Sequence, residues 1–132
     1  VFMEIRRYNK ERDKAKLMQL LIDEGKDWSC YWADGYSDKY KAALQNSITY
    51  VAYEGDVLCG FSRSIDDCGF YTYVCDLLVD KKHRGKNIGR QLMQCIYKDS
   101  PDRIVYVMSD LDGYYEKQGF VREGSVFEVT KP

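Results

Sequence analysis

Three β-rich runs follow one another between residues 48 and 80 with almost nothing between them, and this succession constrains the fold more than any other feature. "ITYVAYE" (48–54) and "VLCGFSRSID" (57–66) are separated only by "GD", a Gly-containing turn signal between two β-rich runs. They read as a hairpin. "FYTYVCDLLVD" (70–80) adds a third run, dense in aromatic and β-branched residues, and reads as one long strand.

The rest of the chain arranges itself around this block. "FMEIRRY" (2–8) alternates enough to be a strand. "DKAKLMQLLIDEG" (13–25) carries Leu17, Leu20, Leu21 and Glu24 at helical spacing, with Gly25 as a stop. "SDKYKAALQNS" (37–47) reads as a second helix capped by Ser37 or Asp38. A third helix runs from about Asn87 to Asp99, with Ile88, Leu92, Cys95 and Ile96 on one face. "RIVYVMS" (103–109) is a strand, "LDGYYEKQ" (111–118) a short helix, and "FVREGSVFEV" (120–129) supplies one or two final strands. The order β-α-α-β-β-β-α-β-α-β is α/β with a mixed sheet.

A chain of 132 residues with 45% hydrophobic and 31% charged residues is one soluble domain, residues 1–132, with room for a proper core. A net charge of −1 argues against a general nucleic-acid binder. No apolar run approaches about 18 residues, so no membrane span is expected. The beginning "VFMEIRRYNK" has no signal-peptide pattern. Cys30, Cys59, Cys68, Cys75 and Cys95 are odd in number and form no C-x-x-C pair, which fits reduced thiols in a cytoplasmic protein better than a disulfide or zinc framework. His83 is the only histidine, so a Ser-His-Asp or multi-histidine metal site is not expected.

"HRGKNIGRQLM" (83–93) joins the long strand to the third helix and crowds cations at a helix start, where the macrodipole already disfavours them. Gly85 and Gly89 would let the backbone turn tightly and approach a ligand. Free amides at the helix start would then point at an anion, with Arg84, Lys86 and Arg90 around it. A solvated basic loop fits the spacing equally well. The Walker and dinucleotide patterns are both absent.

"LLVDKKHRGKNIGRQLM" (77–93) resembles the acetyl-coenzyme A signature of the GNAT superfamily of N-acetyltransferases, whose core is Arg/Gln-x-x-Gly-x-Gly/Ala. Here it is Arg84-Gly85-Lys86-Asn87-Ile88-Gly89, with Asn87 where the family usually has glycine; Asn tolerates left-handed backbone angles better than most residues. "YYEKQGF" (114–120) resembles the family's late Phe/Tyr-Tyr-Glu-Lys-x-Gly-Phe segment, and the element order agrees along nearly the whole chain. The resemblance implies a single-domain GNAT fold: a mixed, mostly antiparallel sheet with a splayed central strand pair and flanking helices.

It also implies roles. The pantetheine arm of acetyl-coenzyme A would pair with the backbone of Leu77, Leu78 and Val79, and its pyrophosphate would sit on the amides from Gly85 to Arg90. An N–H at Leu78 or Val79 would stabilise the oxyanion of the tetrahedral intermediate. Asp76 is the candidate base that collects the amine's proton, with a structural role as the competing reading. Tyr115 matches the tyrosine that protonates the departing thiolate, and Tyr114 beside it is expected to face the core. Tyr73 stands near where histone-type members place a glutamate, so that base is missing. Ser109 and Asp110 replace a frequent asparagine, whose contact is not carried over. "DWSCYWADGY" (27–36) either shapes the acceptor site or is aromatic packing under a loop. The implied function is acetyl transfer from acetyl-coenzyme A to a primary amine of unidentified kind: small molecule, polyamine or protein amine. The alternative is a non-catalytic module that binds or senses acyl-coenzyme A. No metal is expected. Dimers are common in the family, although no stretch here demands a homodimer.

Overall fold

The computed structural model describes residues 3–132. The strand expected from Phe2 is observed over Met3–Arg7 (β1), its first expected residue lying outside the described part. Helix α1 spans Lys10–Glu24, starting three residues before the expected Asp13. The reason is a cap: Asn9 accepts the Arg12 N–H at 3.1 Å, while its own N–H donates to Asp13 Oδ2 at 2.7 Å. A short helix α2 (Ser29–Trp32) lies within the aromatic stretch, and α3 spans Ser37–Asn46. The hairpin strands β2 (Ile48–Glu54) and β3 (Val57–Asp66) begin and end at the expected residues. Gly55, at φ +62°, supplies the left-handed residue that their two-residue turn requires. Then come β4 (Tyr71–Val79), α4 (Ile88–Asp99), β5 (Ile104–Val107) and α5 (Asp112–Lys117).

The five strands form one sheet in chain order, β1-β2-β3-β4-β5. Every neighbouring pair is antiparallel except β4 and β5, which run parallel with α4 as their crossover. The expected strand or strands over 120–129 do not form, and residues 118–132 carry no regular structure. The pattern for a strand is present there, but the segment pairs with no strand of the sheet among the described residues, and an isolated strand has no ladder to hold it.

The sheet separates two apolar layers. On one face α1 and α3 bury Leu17, Leu21 and Leu44 against Val51, Phe61 and Leu78. On the other, α4 buries Ile88, Leu92 and Ile96 against Tyr50, Ala52, Cys59 and Val74. Helix α4 thus packs under the strands whose ends shape the site, and its N-terminus is held at the end of β4.

One buried carboxylate links stability to acid pH. Asp13 is 0% exposed and accepts from Arg12 Nε at 2.7 Å and Tyr53 Oη at 2.6 Å as well as from the Asn9 amide. Burial pushes its carboxyl up, but the bonds from Arg12, Tyr53 and Asn9 outweigh burial and hold it below the ordinary value. A folded pKa below the unfolded one means that its contribution is complete above the unfolded value of about 3.9 and is lost as pH falls through the folded value. Asp13→Asn should therefore lower stability at neutral pH by about 1–2 kcal/mol, since Arg12 is partly solvated. It should also flatten the loss of stability below about pH 4. Urea titrations of both proteins across that range check this.

Candidate active site

Strand β4 carries an irregularity at the place where its neighbour leaves it. Pairing with β3 passes from Arg63↔Asp76 to Ser64↔Val74, so Cys75 is an extra residue on β4. Pairing with β5 covers only Tyr71–Val74 against Ile104–Val107. Beyond Val74 the two strands part, and the β4 edge from Cys75 to Val79 pairs with no strand on that side among the described residues.

Strand alternation decides which backbone groups face the gap. The Asp80 N–H donates to the Cys59 carbonyl at 2.8 Å, on the β3 side. Two residues back, Leu78 points the same way, and its carbonyl oxygen is the nearest atom to the Cα face of Gly60 on β3. The peptide groups of Leu77 and Val79 therefore face the gap. The Val79 carbonyl confirms the direction by accepting from Arg84 Nε at 3.0 Å. Of the two expected oxyanion donors, Leu78 is corrected: its amide faces β3. Val79 remains, and Leu77 joins it.

The end of β4 leads through a single turn of 3-10 helix (Lys81–His83) into the glycine-rich loop. Gly85 has φ +83° and Asn87 φ +62°, so asparagine adopts here the left-handed conformation for which glycine is the usual choice. The first helical bond of α4 runs from Gln91 N–H to Asn87 carbonyl at 3.0 Å. The amides of Ile88, Gly89 and Arg90 precede it and have no helical acceptor, which makes the head of α4 a donor cluster suited to an anion.

The cations around that cluster divide. Arg84 folds back: its Nη2 lies 3.0 Å from Glu24 Oε2 at the end of α1. Lys86 Nζ lies 3.3 Å from Glu54 Oε2 at the end of β2. His83 Nδ1 lies 3.0 Å from Asp80 Oδ2. Of the three cations expected around the anion, Arg84 and Lys86 are paired here with Glu24 and Glu54, which tie the loop to α1 and β2. Arg90 is exposed and makes no ion pair among the described residues.

The late tyrosines approach this loop from α5. The place of the Tyr114 hydroxyl depends on Gly89 having no side chain: a Cβ there would stand 2.3 Å from the Tyr114 oxygen and 3.5 Å from its Cζ. Gly89, expected to clear the way for a ligand, clears it for Tyr114. Tyr115 meets Tyr114 edge-on at 5.0 Å between centroids and stacks on Phe120 at 6.3 Å. Burial, then the proximity of Tyr114 and Asp110, pushes its phenol above the ordinary value, so it keeps its proton at neutral pH. Gly89→Ala should cost about 1–3 kcal/mol of stability through this clash. Adding Tyr114→Phe should recover most of it, because the remaining ring carbon sits at ordinary contact distance. Thermal or urea unfolding of the two single variants and the double variant measures the coupling.

Asp76 is not a free carboxylate. The bulge at Cys75 switches the alternation of β4, so Val74 and Leu77 join the layer under α4 while Asp76 turns toward α3. It is 5% exposed; its Oδ2 accepts from Arg63 Nε at 2.6 Å and from Tyr40 Oη at 2.7 Å. Arg63 also reaches Ser47 Oγ at 3.3 Å. Burial works against the Arg63 charge, and the Asp76 carboxylate overcomes it and holds the guanidinium above its ordinary value. The Tyr40 phenol is pushed up by burial and then by Asp76, as is that of Tyr31, whose ring lies 4.4 Å from that of Tyr40. Trp28 continues the wall, 5.8 Å from Tyr31 and 6.3 Å from Phe61. The stretch 27–36 is therefore core packing on its inner side and lines the neighbourhood of Asp76. Arg63, Tyr40 and Tyr31 were not singled out in the sequence; a lone arginine inside a β-run was the available signal for a buried partner of Asp76.

A sheet opened beside a bulge, with a donor-rich helix start at its end, is one architecture with a matching sequence family. The acetyltransferase (GNAT) domain matches residues 45–122, more than half of the chain, including the open β4 edge, the glycine-rich loop and the late tyrosines. The chain belongs to the GNAT acetyltransferase family. Its fold agrees with solved members: a GNAT-family acetyltransferase from Streptococcus pneumoniae superposes with a TM-score of 0.74 at 20% identity, covering 98% of this chain and 100% of that one. An aminoglycoside acetyltransferase from an uncultured soil metagenomic sample gives 0.76 at 19%, covering all of both chains. Glucosamine-6-phosphate N-acetyltransferase from Arabidopsis thaliana gives 0.71 at 14%, covering 98% and 99%. No curated protein matches the sequence. Among the described residues of this GNAT domain, no helix is long and apolar enough to cross a membrane, and no three His, Cys, Asp or Glu side chains are grouped as metal ligands.

Proposed function

We propose that this GNAT domain transfers an acetyl group from acetyl-coenzyme A to a primary amine. The observation that carries the reading is the continuity of the open β4 edge at Leu77 and Val79 with the unpartnered amides of Ile88, Gly89 and Arg90. An extended, amide-bearing arm ending in a pyrophosphate needs such a sequence of acceptors and donors. Acetyl-coenzyme A would supply an activated thioester. Leu77 or Val79 N–H would stabilise the oxyanion, the loop amides and Arg90 would hold the phosphates, and the protonated Tyr115 phenol would serve the departing thiolate.

In this reading Asp76 positions the acceptor-side wall through Tyr40 and Arg63 rather than taking the proton itself. The attacking amine is then its neutral fraction, about one molecule in a thousand at pH 7 for an amine of pKa near 10. A binding module without turnover is the second reading, and the engagement of Asp76 by Arg63 is the observation that favours it.

Calorimetry and release of coenzyme A across an amine panel test both. The panel should include an aminoglycoside, glucosamine 6-phosphate, a polyamine and a peptide with a free N-terminus. Acetyl-coenzyme A should bind with micromolar affinity, about −8 kcal/mol, and raise the thermal midpoint. Release with at least one amine is expected. Binding without release across the panel supports the module, and no heat with millimolar acetyl-coenzyme A removes both readings.

A further inference from the structure

We infer that the acceptor is a primary amine on a short tether to a flat apolar body, which lies on a wall made by Ile65, Tyr73 and Tyr106; this rests on the acetyl-transfer reading above and names its class of amine. The strand register sets these three side chains in one row across the sheet. Ile65 on β3 pairs with Tyr73 on β4, and Tyr73 pairs with Tyr106 on β5. The row stands one residue before the point where β4 and β5 part, after Val74.

Packing leaves this face as the way into the gap. On the other face Leu77, Val79, Val105 and Val107 join the apolar layer under α4, so that side is occupied. On the face of the row, α1 and α3 bury Phe61 and Leu78, and their cover then ends. Ile65 is 49% exposed and Tyr71 45%. Tyr73 and Tyr106 are half-buried, and the Tyr106 ring stacks on that of Tyr71 at 5.5 Å. An open aromatic surface thus runs up to the place where the thioester would stand. Flat apolar bodies gain both burial and ring-on-ring contact on such a surface.

Charge and reach select the class of amine. The carboxylates carried by β3, β4 and β5 are Asp66 and Asp76, and each is matched: Asp66 by Arg103, Asp76 by Arg63. The strands therefore bring no unmatched negative charge to the wall. A second ammonium group lying on it finds no partner there, which disfavours polycations. From Tyr73 to the Leu77 amide is roughly 10 Å of strand, allowing for the bulge. A ring on a two-carbon tether, with its nitrogen at the acetyl carbon, reaches the Tyr73 end of that span. The step is unchanged: the amine nitrogen bonds the acetyl carbon, the carbon–sulfur bond breaks, and the sulfur leaves with the electron pair. The thiolate gains one proton and the amine loses one, so the products are an amide and a thiol.

The test is coenzyme A release at saturating acetyl-coenzyme A with phenylethylamine, spermidine, an aminoglycoside and glucosamine 6-phosphate. Phenylethylamine should have the highest kcat/KM, about tenfold above the others, as expected for roughly 60 Å² of apolar area buried under the ring. Ile65→Glu places a carboxylate on the wall at a half-exposed position. It should lower kcat/KM for phenylethylamine about tenfold through KM, with kcat within about twofold, and raise kcat/KM for spermidine. Opposite changes for two amines are not what a merely structural role of Ile65 produces. If Ile65→Glu fails to fold, the parent's ranking of the four amines still decides. A parent that prefers spermidine, the aminoglycoside or glucosamine 6-phosphate, or that uses all four alike, overturns this inference and leaves acetyl transfer standing. An Ile65→Glu variant that treats both amines as the parent does overturns the wall. Release with no amine ends the acetyl-transfer reading, and this inference with it.

Discussion

Tyr115→Phe should lower turnover about a hundredfold with an accepted amine while leaving the coenzyme A dissociation constant within about threefold. The substitution removes one hydroxyl and keeps the ring that stacks on Phe120 and meets Tyr114, so the packing is retained. In the proposed reaction the phenol would act on charge that develops only as the thiolate departs, so its loss should appear in kcat. About a hundredfold corresponds to about 3 kcal/mol, the low end for general acid catalysis, because a thiolate already leaves readily. Burial keeps this phenol protonated beyond the ordinary range, so the parent's rate should not fall on this account up to about pH 9. Tyr114→Phe, made beside it, should act differently. Its hydroxyl sits against Gly89 at the head of α4, so its removal should change coenzyme A affinity more than turnover. A turnover loss confined to Tyr114→Phe would exchange the roles of the pair.

Asp76→Leu should cost about 3–5 kcal/mol of folding stability, because it leaves the Arg63 guanidinium largely buried without its counter-charge. Arg63→Met should cost a similar amount by the converse route. The double variant should be far less damaged than the sum, since a buried ion pair replaced by apolar side chains of similar size is often close to neutral. Urea unfolding of the four proteins gives the coupling directly. The same set bears on the chemistry. If Asp76 only anchors Tyr40 and Arg63, a folded Asp76→Asn variant should keep most of its turnover, because asparagine still accepts from Tyr40 and Arg63. If Asp76 takes the amine's proton, that variant should lose turnover by two or more orders of magnitude while its fold persists.

Much of this protein is written in local pattern. Residues 48–54 and 57–66 are β-rich and surround a Gly-Asp turn, and the observed strands begin and end at those residues, because a tight hairpin pairs near neighbours in the chain. The glycine-rich loop and the late tyrosine pair are legible for the same reason: a helix start with left-handed residues before it needs particular residues at fixed offsets. The chain order of the elements follows from these pieces.

What the sequence did not determine depends on partners distant along the chain. Asp76 reads as an available carboxylate because nothing nearby neutralises it; its partners, Arg63 and Tyr40, stand 13 and 36 residues away. The bulge at Cys75 is invisible in a run that looks uniformly like strand, yet that one extra residue turns Asp76 to the α3 side and helps decide which amides face the gap. That Arg84 and Lys86 pair with Glu24 and Glu54 is likewise visible only across the fold. The strand pattern at 120–129 resembles that of β1, but β1 pairs with β2 while the last segment pairs with no strand among the described residues. Local pattern fixes what a segment is able to become. A charge pair or a strand ladder needs its other half, and only the tertiary structure decides which halves meet.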